Sequence, residues 1–292
     1  MTTALRHQRT IAGPCSVAGF GYWNGRDVRV EFRPAPPHAG IVFVRSDLTP
    51  VRRIPAEVAR RIEVPRRTTL VANGGQVEMV EHVLAALFGL QIDNCEVWVD
   101  GAELPGLDGS CAGIVEALEA AKIVEQPALR RRLIVTDVTR VGDDDCWIEA
   151  RPIRGDKLAV KYRLDFGNNN PIGRQTVELT ITPATFKAEL ASARTFILAE
   201  EAQWLRDRGL GLRVTNQDLL VFGPEGPLDN ELRMENECVR HKALDLVGDL
   251  ALAGCDLVGH FIAHKSGHRL NAELVKFLLV EGRLEEYHRK TA

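Results

Sequence analysis

The feature that most limits how this 292-residue chain can fold is a pattern that occurs twice. Residues 77–89, VEMVEHVLAALFG, keep apolar side chains at helical spacing and end at Gly89, a natural C-cap. Within them His82 is followed by Leu87, Phe88 and Gly89. Far along the chain, His241 is followed at the same offsets by Leu246, Val247 and Gly248. Each helical stretch leads into a Cys-bearing strand, at Cys95 and at Cys255. The echo predicts an α+β protein of two similar halves, each a helix layer on a mostly antiparallel sheet.

Punctuation along the chain fits that division. Asn24-Gly25 is a hairpin turn signal, VRVEFRP alternates with a period of two, and Pro34, Pro36 and Pro37 end that strand. GIVFVRSDL and CEVWVDG read as further strands. Ser110 is placed to cap a helix running through CAGIVEALEAAKIV. The stretch VEQPALRRRLIV, with its proline and charge run, marks a boundary at about residue 127, giving domains 1–127 and 128–292. Beyond it lie the strands LIVTDVT, CWIEARPI, KLAVKYRLDF and QTVELTIT, followed by a helix entered at Pro183. Another helix spans about 197–208, capped at Gly209, and a long one spans 235–253. The strand CDLVGHFIAH and a final helix over 271–289 close the reading.

Composition narrows the function. A net charge of -3 argues against a protein built to hold a phosphate backbone, so no nucleic-acid partner is expected. The greasiest windows, VEHVLAALFGL and LVKFLLV, are too short for a transmembrane segment, and the start has no apolar run fit for a signal peptide. The six cysteines are scattered without a CxxC pair, so buried free thiols in a cytoplasmic protein are expected. A metal site must then come from the eight histidines and the carboxylates.

His241 and Asp245, four apart in RHKALDLVGDL, share one helix face and can close on a divalent metal, with Asp249 a turn further along. Spacing alone favours a hydrogen-bonded i,i+4 pair on a solvated face. Glu81-His82 offers a third ligand beside a candidate base, or else a charged helix surface. An ionisable pair among apolar neighbours calls for a reason. Three protein ligands would leave a position for water and lower its pKa toward neutrality. In Lys265-Ser266-Gly267-His268, the histidine can titrate near neutrality and protonate a leaving amine, or the segment is simply a polar turn. Nothing around Ser266 marks a nucleophile elbow, and His260 and His264 read as ordinary strand histidines.

The strings VEHVLAAL-x-GL-x-IDN (80–94), DG-x-ELP-x-LDGS (100–110), ARTF (193–196), RHKALDLVGDL (240–250) and KSGH-x-LN (265–271) resemble the UDP-3-O-acyl-N-acetylglucosamine deacetylase family, in order and over most of the chain. The resemblance implies the zinc-dependent, committed step of lipid A synthesis. It implies a fold of two similar two-layer α/β sandwich domains from a duplicated unit, with the active site between them. By the same resemblance His82, His241 and Asp245 are the metal ligands and Glu81 is the general base. His268 is the acid, Asp249 its support, and Thr195 a hydroxyl on the amide carbonyl. Phe196 falls near the sugar, Lys242 and Lys265 near the diphosphate, and Asp165 and Phe166 near the nucleotide. Zn2+ is the implied cofactor, although two imidazoles and a carboxylate also accept Fe2+ or cobalt. The expected partner is the small-molecule substrate, acylated UDP-N-acetylglucosamine, bound by a monomer.

Two departures concern the substrate. GFGYWNG carries Trp23 where the family commonly has a histidine, and VPRRTTL carries Arg66 and Arg67 where it often has apolar residues bordering the acyl passage. A deacetylase of another N-acetyl sugar is therefore an alternative, tested by comparing acylated with non-acylated UDP-N-acetylglucosamine. A non-catalytic zinc-containing sugar-nucleotide binding module is a third reading, but it has no need of Glu81 or His268.

Overall fold

Asn24-Gly25 turns the chain as its residue types allow. Gly25 takes φ +67°, and the flanking strands Cys15–Phe20 and Asp27–Pro34 pair antiparallel. The computed structural model describes residues 5–286 and places this hairpin at one edge of a five-stranded sheet. The sheet order is Cys15–Phe20, Asp27–Pro34, Cys95–Val99, Ile41–Arg45, Arg52–Pro55. Five strands of the second large sheet follow the same plan, in the order Thr139–Gly142, Trp147–Arg151, Asp256–His264, Leu158–Asp165, Arg174–Thr180. The pairing senses also agree: antiparallel, antiparallel, parallel, antiparallel.

The sheets are thus mixed, with a parallel pair at the centre of each array. Parallel neighbours need a crossover, and a helix supplies it in both halves. Helix α1 (Glu81–Gly89) lies between Ile41–Arg45 and Cys95–Val99 in sequence. After α2 (Ala112–Ala120), α3 (Pro183–Glu189) and α4 (Ala199–Arg206), helix α5 (Glu237–Leu250) precedes Asp256–His264, and α6 (His268–Glu281) follows it. Every strand pairing among the described residues joins strands on the same side of residue 130, and residue 127 lies within the strand Ile123–Leu129. Smaller sheets are added in both halves. Arg61–Ile62, Thr69–Ala72 and Gly75–Glu78 form one, and Phe196–Leu198, Leu220–Gly223 and Gly226–Pro227 the other.

Several element limits differ from the sequence reading. The first helix begins at Glu81 rather than at 77, because Gly75–Glu78 pairs with Thr69–Ala72 and Met79 turns the chain at φ +58°. Gly89 is the last helical residue and not a left-handed cap; a Cβ there would stand 2.3 Å from the Phe186 ring of α3. Helix α2 starts at Ala112, whose N–H donates to Ser110 Oγ at 3.2 Å, and its chain re-enters a strand at Ile123. Phe196–Leu198 is a strand paired with Leu220–Gly223, so α4 begins only at Ala199. Helix α5 ends at Leu250, and a 3-10 turn carries Ala251–Ala253. Helix α6 starts at His268, and Arg283–Glu285 pairs antiparallel with Arg132–Ile134 instead of continuing it. Residues 287–289 of the expected helix lie outside the described residues.

Helices α1 and α5 pack directly on each other, and the contact is close. A Cβ on Gly248 of α5 would lie 2.1 Å from the Glu81 carbonyl oxygen of α1. Only a glycine lets the two backbones meet there. Gly248→Ala is expected to destabilise the fold by about 1–3 kcal/mol, the usual cost of overpacking, and to weaken metal retention by parting the helices. Denaturant unfolding with metal analysis of the purified variant checks both effects.

Candidate metal and catalytic site

The α1–α5 crossing brings distant residues together. His82 on α1 faces His241 and Asp245 on α5, and all three are buried. Asp245 Oδ1 stands 3.6 Å from His82 Nε2 and 3.4 Å from His241 Nε2, and one donor atom from each residue lies within 4.8 Å of the others. A tetrahedral ion with bonds of about 2.0–2.1 Å sets its donors about 3.3 Å apart, so these residues fit a divalent metal. The surroundings orient the donors. His241 Nδ1 is 3.1 Å from the Ala193 carbonyl, so it holds the proton and leaves the Nε2 lone pair facing inward. Lys242 Nζ donates to Asp245 Oδ2 at 2.8 Å, leaving Oδ1 toward the imidazoles.

Burial and charge set the protonation of these side chains. Burial, with the nearby His82 and Lys242, pushes the His241 imidazole down to about 4 against the pull of Asp245, so it is neutral near pH 7. Asp245 is held well below the usual carboxylate range despite its burial, by His241 and Lys242. Lys242 is itself raised: burial works against its charge, and Asp245 outweighs burial.

Glu81 and His268 flank the donors, with Glu81 Oε1 3.9 Å from His268 Nε2. Burial pushes the Glu81 carboxyl up, and its other oxygen accepts the Thr68 N–H at 3.0 Å. Asp249, fully enclosed, accepts three hydrogen bonds: from His268 Nδ1 at 2.8 Å, Asn271 Nδ2 at 2.8 Å and Thr68 Oγ1 at 2.6 Å. Burial pulls the His268 imidazolium down, but the charge and hydrogen bond of Asp249, with Glu81, raise it to about 9. Thr195 Oγ1 lies 3.3 Å from His241 Nε2 and donates to the Gly109 carbonyl at 3.0 Å.

Glu81, His82, Thr195, His241, Lys242, Asp245 and His268 line one cavity of about 670 Å³, which also meets Phe196, Lys265, Asp165 and Phe166. The Phe196 ring stands edge-on to both His241 (6.3 Å) and Phe166 (6.0 Å). Lys265 is paired with Asp145 and Asp165 with Arg174, both at the exposed end. Trp23 and Arg66 border the same cavity, and Arg67 lies over the Trp23 ring at 4.5 Å.

Sequence reasoning missed the residues that hold these in place. Thr68 bridges Glu81 and Asp249, and Asn271 braces Asp249. The buried Arg194–Glu237 pair, 2.7 Å apart, fixes the segment carrying Thr195 to the start of α5. Tyr162 donates its hydroxyl to the Ser266 carbonyl, steadying the turn before His268. Arg194 and Asn271 stand inside the strings ARTF and KSGH-x-LN, the one signal that pointed to them.

The model of the UDP-3-O-acyl N-acetylglycosamine deacetylase family matches residues 8–280. A Shewanella denitrificans protein named UDP-3-O-acyl-N-acetylglucosamine deacetylase is 37% identical over 278 residues, covering 94% of this chain and 90% of its own length. A protein of the same name from Oleidesulfovibrio alaskensis is 38% identical over 266 residues, covering 91% of this chain and 86% of its own.

Removing the Asp249 charge should lower the His268 midpoint. In Asp249→Asn the imidazole is expected to titrate well below about 9, read by NMR of the histidine ring protons. Because the folded value lies above the ordinary one, the His268–Asp249 pair stabilises the fold fully below the ordinary histidine range. That contribution is lost as pH rises through about 9 and should be absent from Asp249→Asn.

Proposed function

The chain belongs to the UDP-3-O-acyl N-acetylglycosamine deacetylase family, and on that premise we propose that it hydrolyses the acetamido group of UDP-3-O-(3-hydroxyacyl)-N-acetylglucosamine. Acetate and the free amine are the products, in the committed step of lipid A synthesis. The observation that supports this reading most is a His-His-Asp donor set with a buried carboxylate on one side and an imidazolium on the other, all in one cavity.

His82, His241 and Asp245 are the residues that would hold the ion, for which we propose Zn2+, with Fe2+ sharing the donor preference. Such an ion polarises the amide carbonyl and makes a water acidic near neutral pH. Glu81 takes the proton of the attacking water, and its raised pKa lets it keep that proton through the addition. His268, charged at neutral pH, stabilises the negative charge developing on the acetyl oxygen and passes a proton to the departing nitrogen. Asp249 holds that imidazolium in place, and the Thr195 hydroxyl, beside His241, polarises the carbonyl once its proton turns from the Gly109 oxygen. Water adds to the acetyl carbon, the carbon–nitrogen bond breaks, and the amine leaves protonated by His268.

Phe196 is assigned to the sugar, Lys242 and Lys265 to the diphosphate, and Asp165 and Phe166 to the nucleotide, in keeping with their places around the cavity. The apolar wall of Ile197, Leu198, Ala202, Leu205 and Val221 suits the acyl chain. We assign the enzyme to the cytoplasm as a monomer, in keeping with the free thiols of its described cysteines and with a site supplied by one chain. Units 1–127 and 128–292 are proposed as products of a duplication, supported by their matching strand orders.

Glu81→Ala should retain zinc and lose acetate release by several orders of magnitude, whereas alanine at His82, His241 or Asp245 should lose both. Zinc analysis beside an acetate-release assay checks the contrast. The activity should fall on the alkaline side as His268 loses its proton near pH 9, and His268→Gln should flatten that limb in a pH–rate profile.

A further inference from the structure

The cavity that starts at the buried metal donors reaches a rim that the reaction does not use. Arg66 Nη2 lies 2.8 Å from Glu201 Oε1 on α4, and both side chains are 42% exposed while lining the cavity. The pair therefore spans the opening from the loop after the strand Arg61–Ile62 to the helix that supplies the apolar wall. On α4 the next residue, Ala202, is buried, and Leu205 also faces the cavity, so the wall changes from methyl and methylene groups to charge within one helical turn.

The loop carrying Arg66 is not free to step aside. Arg67 is tied to Glu78 at 2.6 Å and lies on the Trp23 ring, and Thr68 is bonded to both Glu81 and Asp249. Three consecutive residues thus link the rim to the catalytic wall. Arg61, paired with Glu63 at 2.8 Å, brings a second, buried guanidinium to the cavity lining inside that rim.

We propose that the Arg66–Glu201 bridge is a specificity determinant that ends the apolar path and sets the length of acyl chain this enzyme uses. The inference rests on the deacetylase reading. Each methylene lodged short of the bridge leaves water and improves kcat/KM by up to about fourfold. A methylene that reaches the bridge must displace or desolvate a charged pair, or pass into solvent, and gains nothing. Arg66 and Glu201 act on the chain's far end and touch no reacting atom, so the effect falls on KM.

The test is acetate release from UDP-N-acetylglucosamine carrying unbranched 3-O-acyl chains of increasing length. For the native enzyme kcat/KM should climb with length and then break. In the Arg66→Leu/Glu201→Leu double variant the climb should continue past that length, and in the charge-swapped Arg66→Glu/Glu201→Arg variant the native break should return. Acetate release with the break at the same length in all three proteins overturns the bridge while leaving the deacetylase reading intact. Failure of the metal-loaded native enzyme to release acetate from any member of the series overturns both.

Discussion

Everything in the site depends on how closely α5 crosses α1. The missing side chain at Gly248 lets the α5 backbone rest on the Glu81 carbonyl, and that contact sets the spacing of His82 from His241 and Asp245. The same crossing puts Glu81 beside His268, because Asp249, the residue after Gly248, reaches to the start of α6. One backbone contact therefore controls both the His-His-Asp cluster and the Glu81–His268 pair. A larger residue there would disturb each of them at once.

Around that contact, burial and charge oppose each other, and the winner differs from residue to residue. For Glu81 and His241 burial wins, leaving one carboxyl easier to protonate and one imidazole neutral. For His268 and Asp245 the neighbouring charges win, leaving one imidazolium and one carboxylate. Two histidines within one cavity thus hold opposite protonation states at neutral pH, the states that the proposed ligand and acid roles call for. The cause is positional. Asp249 Oδ2 accepts from His268 Nδ1, whereas Asp245 Oδ2 accepts from Lys242 Nζ, and His82 and Lys242 add to the burial that keeps His241 neutral.

Much of this was legible in the sequence. The recurrence around His82 and His241 pointed to two similar halves, and two arrays with the same strand order and pairing senses are present. His82, His241 and Asp245 were candidates by spacing and apolar surroundings, although spacing alone favoured a surface pair and only the resemblance joined the three as ligands; their donor atoms converge. Element limits were less readable, because tertiary pairing decided them. Gly89 looked like a cap yet serves the approach of Phe186, and Phe196–Leu198 has helical neighbours but is drawn into a strand by Leu220–Gly223. The supporting contacts of Thr68, Asn271 and the Arg194–Glu237 pair were not readable, since their partners lie apart in sequence and no periodicity links them, even though Arg194 and Asn271 stand within matched strings.

A single ion held at the α1–α5 crossing would supply the Lewis acid that amide hydrolysis here calls for. Titrating Zn2+ into the metal-stripped chain while following acetate release from acylated UDP-N-acetylglucosamine tests it most directly. Release should rise in step with bound zinc and level off at a single ion per chain. Full release from the metal-stripped chain, or zinc bound at His82, His241 and Asp245 without any release, would contradict the account.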